Sequence, residues 1–556
     1  MSSRLIAAPA LALALVACGE DPRPTGKATV EVLAYDYELD LATRAVTSTL
    51  ELRLVTPGNC VELPTRVTEV DTTTVVIDDK PAAAAFADGV TMTACGDGWD
   101  AGTTLSLTTH LTVPLDTWRP SQVGYSVTDD AGDQPMSYLL SWIGQCDRLG
   151  PCDPTPGLFA RYRFTVHHPS GTTALCPGRI TATPELTTCE FDYDGGPTYS
   201  TFGVIASPAW DVLSKGTWGG VNVTLYDRPG TGLATLVDPS YHQAFFESMV
   251  QRFGAFPYGT ELRIASGPTY WSGFEHPGNI VLDEALGQPG ASLYTRPANH
   301  VLNHELAHQW AGDQTTIADT YDFVWKEAMA EYLAFVYEDE TEPAVGLATA
   351  RAWKQFAVGA GYFPVPEDEP RPTLLQYYGE VYGPGPMILF RQLEALSSRA
   401  AVITALQQVL GQPRALSVAE VLAALETSTG LDLDQYADVW IRGSGRPTWP
   451  SFRVTVNGTE PAQTVTVEET TAGGQLHGCN FSIGLLGASG ESAKAWIERG
   501  VDGVASVTVP TGVTWRVTTT ILDIDAQCLA FNATTAAPAP RHPDGWSPWR
   551  TATLIP

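Results

Sequence analysis

Residues 301–310 read VLNHELAHQW. His304 and His308 stand four positions apart, so a helix puts both imidazoles on one face, a turn from each other. At that spacing both rings reach one metal ion, and Glu305 projects beside it to act on water. The competing reading is a pair of solvated histidines on an amphipathic helix. His300 lies one turn earlier, but a helix drifts about 40° per four residues. His300 therefore reads as a flank or a group behind the ligands, and not as a ligand.

A catalytic metal needs a third protein ligand and one open position. Downstream stands VWKEAMAEYLAFVYED, residues 324–339. Glu327 follows His308 with 18 residues between them, on a second expected helix. Glu331, one turn further, is placed to hydrogen-bond a ligand histidine from behind.

Outward from this pair of helices, the pattern changes twice. Residues 28 to about 200 alternate apolar and polar positions, as in TVEVLAYDYELDL and ARYRFTVHH, and read as antiparallel strands. DPSYHQAFFESMVQRFG, residues 238–254, reads as a helix capped by Asp238 and ended by Gly254. Helical periodicity dominates 298–340 and 385–442, and strand alternation returns from 446. The fold expected is multidomain α+β. Its divisions fall at 28–204 for an N-terminal antiparallel β domain, 205–445 for the catalytic domain and 446–556 for a C-terminal β-sandwich.

A chain of 556 residues is too long for one core. Its 44% apolar and 17% charged residues suit an ordered globular protein. A net charge of −30 argues against nucleic-acid partners, which select a basic face. FDYDGG, residues 191–196, has the acidic spacing of a calcium loop but lacks the closing glutamate, and reads as a β-turn. No Gly-x-Ser-x-Gly motif supports a serine hydrolase.

The first 18 residues have their own logic. Arg4 precedes LIAAPALALALVA, an apolar run too short for a stable span, which ends at Cys18. This resembles a bacterial lipobox, with Cys18 the lipidated first residue of the mature chain and 19–27 a polar tether. The expected location is the cell envelope, lipid-anchored, with Gly19 favouring the outer membrane. Eight further cysteines make an even count, as disulfides in an exported chain require. Pairing of sequence neighbours joins 60 with 95, 146 with 152, 176 with 189, and 479 with 528.

HELAHQWAGD (304–313) and WKEAMAEYL (325–333), with the spacing between them, resemble the aminopeptidase-N family of gluzincin zinc metallopeptidases. Four more segments extend the resemblance in order: GPCDPTPGLFARYRFTVHHPSG from 150, SGFEHPGNI from 272, VYGPGPMILFRQLE from 381 and YADVWIRGSGRPTWPSFRV from 436. The resemblance implies a thermolysin-like catalytic domain with one Zn2+ held by His304, His308 and Glu327. It makes Glu305 the general base and Tyr382 the oxyanion donor, with Tyr377 and Tyr378 as neighbouring competitors. It gives Glu275 the free α-ammonium of a peptide substrate. Ser272, Phe274 and His276 stand where the family has Gly, Met and Asn, departures that keep the glutamate and imply a reshaped side-chain pocket. A further family carboxylate has only a loose counterpart in Asp147. The activity implied is removal of N-terminal residues from peptides by attack of a zinc-bound water. The alternatives are an endopeptidase or small-molecule hydrolase on the same centre, or a non-catalytic binding lipoprotein.

Overall fold

The computed structural model describes residues 23–66, 69–87, 89–115, 124–128, 135–197, 201, 203–269, 272–287, 294–357, 360–377, 386–471 and 474–533. Cys18, Tyr378 and Tyr382 lie outside these residues.

The N-terminal part is built from strands. Val30–Asp40 pairs antiparallel with Ala45–Leu54, which pairs with Thr104–Thr112, while Phe159–His167 joins the other edge of Val30–Asp40 in parallel. Strand alternation decides which side is core. Val46, Leu50, Leu52 and Leu54 point inward from Ala45–Leu54, and Tyr35, Tyr37 and Leu39 do so from Val30–Asp40. Tyr35 stacks on Tyr162 across the parallel pair with ring centroids 5.1 Å apart. A second sheet runs Lys27–Ala28, Gly58–Pro64, Thr91–Trp99 and Ala83–Ala87.

The expected turn at FDYDGG is part of the strand Leu186–Pro197 instead. Its partner residues jump from Ala160 opposite Gly196 to Tyr162 opposite Phe191. Extra residues are therefore accommodated as a bulge in a continuing ladder, which acidic spacing alone does not reveal.

The metal-site motif follows a mixed five-stranded sheet, ordered Asp211–Trp218, Val221–Asp227, Glu261–Gly267, Asn279–Asp283 and Gly273–Phe274. Its last strand is a two-residue edge. The helix Pro239–Phe253 starts where Asp238 accepts from the Ser240 amide and stops at Gly254, as the sequence indicates. Next come the helices Pro297–His308 and Phe323–Thr341, which carry the two motifs, and then Pro343–Ala357, Pro386–Leu396, Arg399–Val409, Val418–Thr429 and Asp434–Trp440. Among the described residues, no helix is long and apolar enough to cross a membrane.

The C-terminal part holds two sheets, one containing Thr464–Glu469 and Ser451–Asn457, the other Phe481–Gly487 and Ser492–Ile497. They meet through Phe452 and Phe481, whose centroids are 5.3 Å apart. This part is fastened to the helices. Trp440 donates to the Gly478 carbonyl at 3.1 Å, and Lys354 pairs with the buried Asp523 at 2.5 Å. Four disulfides join Cys60 to Cys95, Cys146 to Cys152, Cys176 to Cys189 and Cys479 to Cys528, the neighbour pairing expected.

Candidate metal centre

The helix Pro297–His308 is buried on every side. Val301, Leu302, Leu306 and Ala307 are fully enclosed, and from His300 onward its polar residues are buried too. A helix with no solvated face owes its stability to packing. Phe323–Thr341 packs against it with Ala328, Ala330 and Ala334 enclosed. Small side chains there bring the two backbones close.

That approach places functional groups in register. His304 Nε2 lies 2.9 Å from His308 Nε2 and 3.2 Å from Glu327 Oε2, and His308 Nε2 lies 3.5 Å from the same oxygen. The outer nitrogens are engaged elsewhere: His304 Nδ1 meets Glu331 Oε2 at 2.8 Å, and His308 Nδ1 meets the Ala311 carbonyl at 3.0 Å. Three donor atoms thus converge on one point. Tetrahedral zinc with ligands at 2.0–2.1 Å would separate them by about 3.3 Å. The donor set and its spacing fit zinc, and outer hydrogen bonds of this kind fix metal-binding tautomers.

Charges around the point are tightly arranged. Lys326 Nζ sits 2.6 Å from Glu275 Oε1 and 2.7 Å from Glu327 Oε1. Burial works against both carboxylates, but the Lys326 ammonium outweighs it and holds both below the usual range. Among the described residues Glu305 has no such close cationic partner: burial, helped by Glu275 and Glu327, pushes its carboxyl up to about 8. Burial lowers both histidines. Glu327 and Glu331 reverse this for His304, which rises to about 10, while His308, facing Lys326, stays below its ordinary value. At 2.9 Å the two rings share one position for positive charge, which a metal would take over.

Backbone geometry makes room for this. Gly312 adopts φ +150°, and a Cβ there would lie 2.9 Å from Lys326 Cε and 3.0 Å from His308 Nδ1. Gly273, on the edge strand, lies against Glu305: a Cβ would be 2.3 Å from Glu305 Oε1. Gln309 ties the Glu275 segment to the metal helix. It accepts from the Gly278 amide at 2.8 Å and donates to the Glu275 carbonyl at 2.8 Å.

Other expected residues fall elsewhere. Tyr377 is a core residue: its hydroxyl donates to the Pro364 carbonyl, and burial raises it well above an ordinary tyrosine. Its hydroxyl is thus engaged within the core. Asp147 is held by Arg66 through contacts of 2.6 and 2.5 Å. Phe274 turns into an apolar cluster with Met136, Leu140 and Ile205, so the change from Met is absorbed by the core. His276 lies over Gly203, where a Cβ would be 2.5 Å from its ring. Lys326 was the residue missed. It stands inside the quoted WKEAMAEYL, and a lysine next to a ligand glutamate was the available signal.

Two histidines a turn apart, a glutamate from the neighbouring helix and a buried glutamate base define the centre of a zinc metallopeptidase. Residues 254–368 match the Peptidase family M1 domain. The chain is 24% identical over 350 residues to Aminopeptidase N of Streptomyces lividans, covering 57% of this chain and 39% of that protein. It is 26% identical over 213 residues to human Aminopeptidase N, covering 35% of this chain and 22% of that one. The chain thus spans well under half of either relative. The fold is similar to an M1 zinc metallopeptidase of Deinococcus radiodurans, solved with a Tyr-Ser-Ala substrate. There the TM-score is 0.60 at 21% identity, over 75% of this chain and 95% of that one. Residues 254–368 thus carry the likeness to the M1 peptidases, and the chain as a whole is similar to aminopeptidases N in sequence and to an M1 zinc metallopeptidase in fold.

Proposed function

We propose that the protein is a zinc aminopeptidase that removes residues from the free N-terminus of peptides. The observation that carries this reading is the fixed carboxylate of Glu275, joined to the metal ligand Glu327 through one shared lysine. A carboxylate beside the metal rewards a free α-ammonium and leaves an internal peptide bond without that contact. Lys326 engages Oε1 of Glu275, leaving Oε2 for the substrate.

Zinc, held by His304, His308 and Glu327, would supply a Lewis acid and a water acidified to about pKa 7. Glu305 takes a proton from the attacking water and returns it to the leaving amine. The enclosed wall around Glu305 excludes bulk water and favours its holding that proton. Tyr382 is assigned the hydrogen bond to the developing oxyanion. The peptide bound to the D. radiodurans relative supports a peptide as substrate class.

The test is the rate on an aminoacyl-arylamide against its N-acetylated form, with zinc-loaded protein. Only the free amine should be cleaved, and Glu275→Gln should narrow the difference. Preference for the acetylated form would replace this reading with an endopeptidase. We further propose that Cys18 carries a lipid at the cell envelope and that the chain divides at 28–204, 205–445 and 446–556. Cys18→Ser should release the protein from membranes, and unchanged membrane recovery would refute the anchor. Limited proteolysis should cut near residues 204 and 445, and cuts concentrated elsewhere would refute those boundaries.

A further inference from the structure

Histidines and glutamates alternate along the two packed helices well beyond the metal point. Glu327 meets His308 and His304, Glu331 meets His304 and His300, and Glu338 meets His300. The helices run antiparallel, so each step of one turn along Pro297–His308 meets the next carboxylate along Phe323–Thr341. His300 belongs to this ladder but does not face the metal point.

Its surroundings are unusual for a core histidine. His300 Nε2 lies 2.8 Å from Glu331 Oε1 and its Nδ1 2.7 Å from Glu338 Oε1, both without solvent access. A carboxylate on each nitrogen calls for two N–H donors, the imidazolium form. Burial alone would push the ring down, but Glu331 and Glu338 outweigh it and raise it to about 10. Tyr294 stacks on the ring with centroids 4.0 Å apart. Glu331 Oε1 also accepts from Trp353 at 2.9 Å and from the Tyr294 hydroxyl. Its other oxygen holds His304 Nδ1.

We propose that His300 is a positioning residue for the metal centre, bridging Glu338 and Glu331 so that Glu331 is held where it fixes the pitch of the His304 ring. His300 brings a charged donor to Glu331 from the side away from the metal ligands, and it also bridges two carboxylates of the same helix. Without it, Glu331 keeps Trp353 and Tyr294 but loses the charged contact that opposes repulsion from Glu338. The inference rests on the zinc-site reading and not on the aminopeptidase assignment.

The experiment measures zinc affinity by competition with a chromophoric chelator, for wild type, His300→Phe, His300→Gln and Glu338→Gln. Phenylalanine keeps the stack on Tyr294 and removes both donors. Zinc Kd should rise roughly ten-fold or more in His300→Phe and less in His300→Gln, the range seen when groups behind a metal ligand are removed. Activity of His300→Phe should recover in excess zinc with KM unchanged. If that variant does not fold, Glu338→Gln, nearly isosteric and distant from the metal, should still raise Kd several-fold. A lowered Tm with zinc Kd within two-fold of wild type in the folded variants would overturn the proposal. A wild-type chain that binds no zinc would overturn the site reading, and this inference with it.

Discussion

Nε2 of His304 and Nε2 of His308 stand 2.9 Å apart, with each ring's Nδ1 already committed to an acceptor. Two imidazoles presenting the same nitrogen to one point, with a carboxylate oxygen completing the triangle, form a cation site by construction. Glu327 belongs to that triangle and Glu305 does not, so their substitutions should separate. Glu327→Gln should lose most zinc. Glu305→Gln should retain it, with kcat falling roughly 10²–10⁴-fold through loss of the base. Equal zinc loss in both, measured by metal analysis, would contradict the assignment.

The two tyrosines also separate. Tyr377→Phe removes a hydroxyl that donates to the Pro364 carbonyl inside the core. It should lower stability by about 1 kcal/mol and leave kcat near wild type. Tyr382→Phe should leave stability unchanged and lower kcat by roughly 10²-fold, the scale of one lost oxyanion donor. Steady-state rates with thermal melts of both variants decide it; the opposite pattern would make Tyr377 the functional group.

Lys326 neutralises two buried carboxylates at once. Lys326→Met leaves Glu275 and Glu327 facing each other without that cation, at a cost of about 3 kcal/mol to the metal-free protein. Added zinc should restore part of this, because it supplies positive charge to Glu327. Denaturant melts with and without zinc measure both. A metal-free melt equal to wild type would show that the lysine is not the compensating charge.

His242 gives the fold an acid limit. Its Nδ1 bonds Asn303 Oδ1 at 2.9 Å, and burial pushes the ring down to about 4. Between pH 6.5 and 4 the unfolded chain therefore binds a proton that the folded chain refuses, so stability falls as pH falls. The contribution is complete above pH 6.5 and lost through pH 4, up to about 3 kcal/mol. His242→Phe keeps ring packing beside Trp218 and should flatten that slope. An unchanged slope would place the acid sensitivity elsewhere.

Much of this was legible because periodicity and chemistry coincide. Four-residue spacing put His304 and His308 on one face, and Asp238 with Gly254 bounded a helix through local capping. The roles of Lys326 and Gly273 were not legible, since both depend on which residues two elements bring together across the fold. His300 was half legible. Helical drift excluded it as a ligand, but only the antiparallel pairing of two helices gives it Glu331 and Glu338. FDYDGG failed as a turn because a bulge keeps the strand paired on both sides, and pairing is non-local.

The most direct test of the metal centre is anomalous diffraction at the zinc absorption edge from crystals of the zinc-loaded chain. The expected result is one peak about 2 Å from His304 Nε2, His308 Nε2 and a Glu327 oxygen. A zinc peak away from these three atoms, or no peak in protein shown to cleave its substrate, would contradict it.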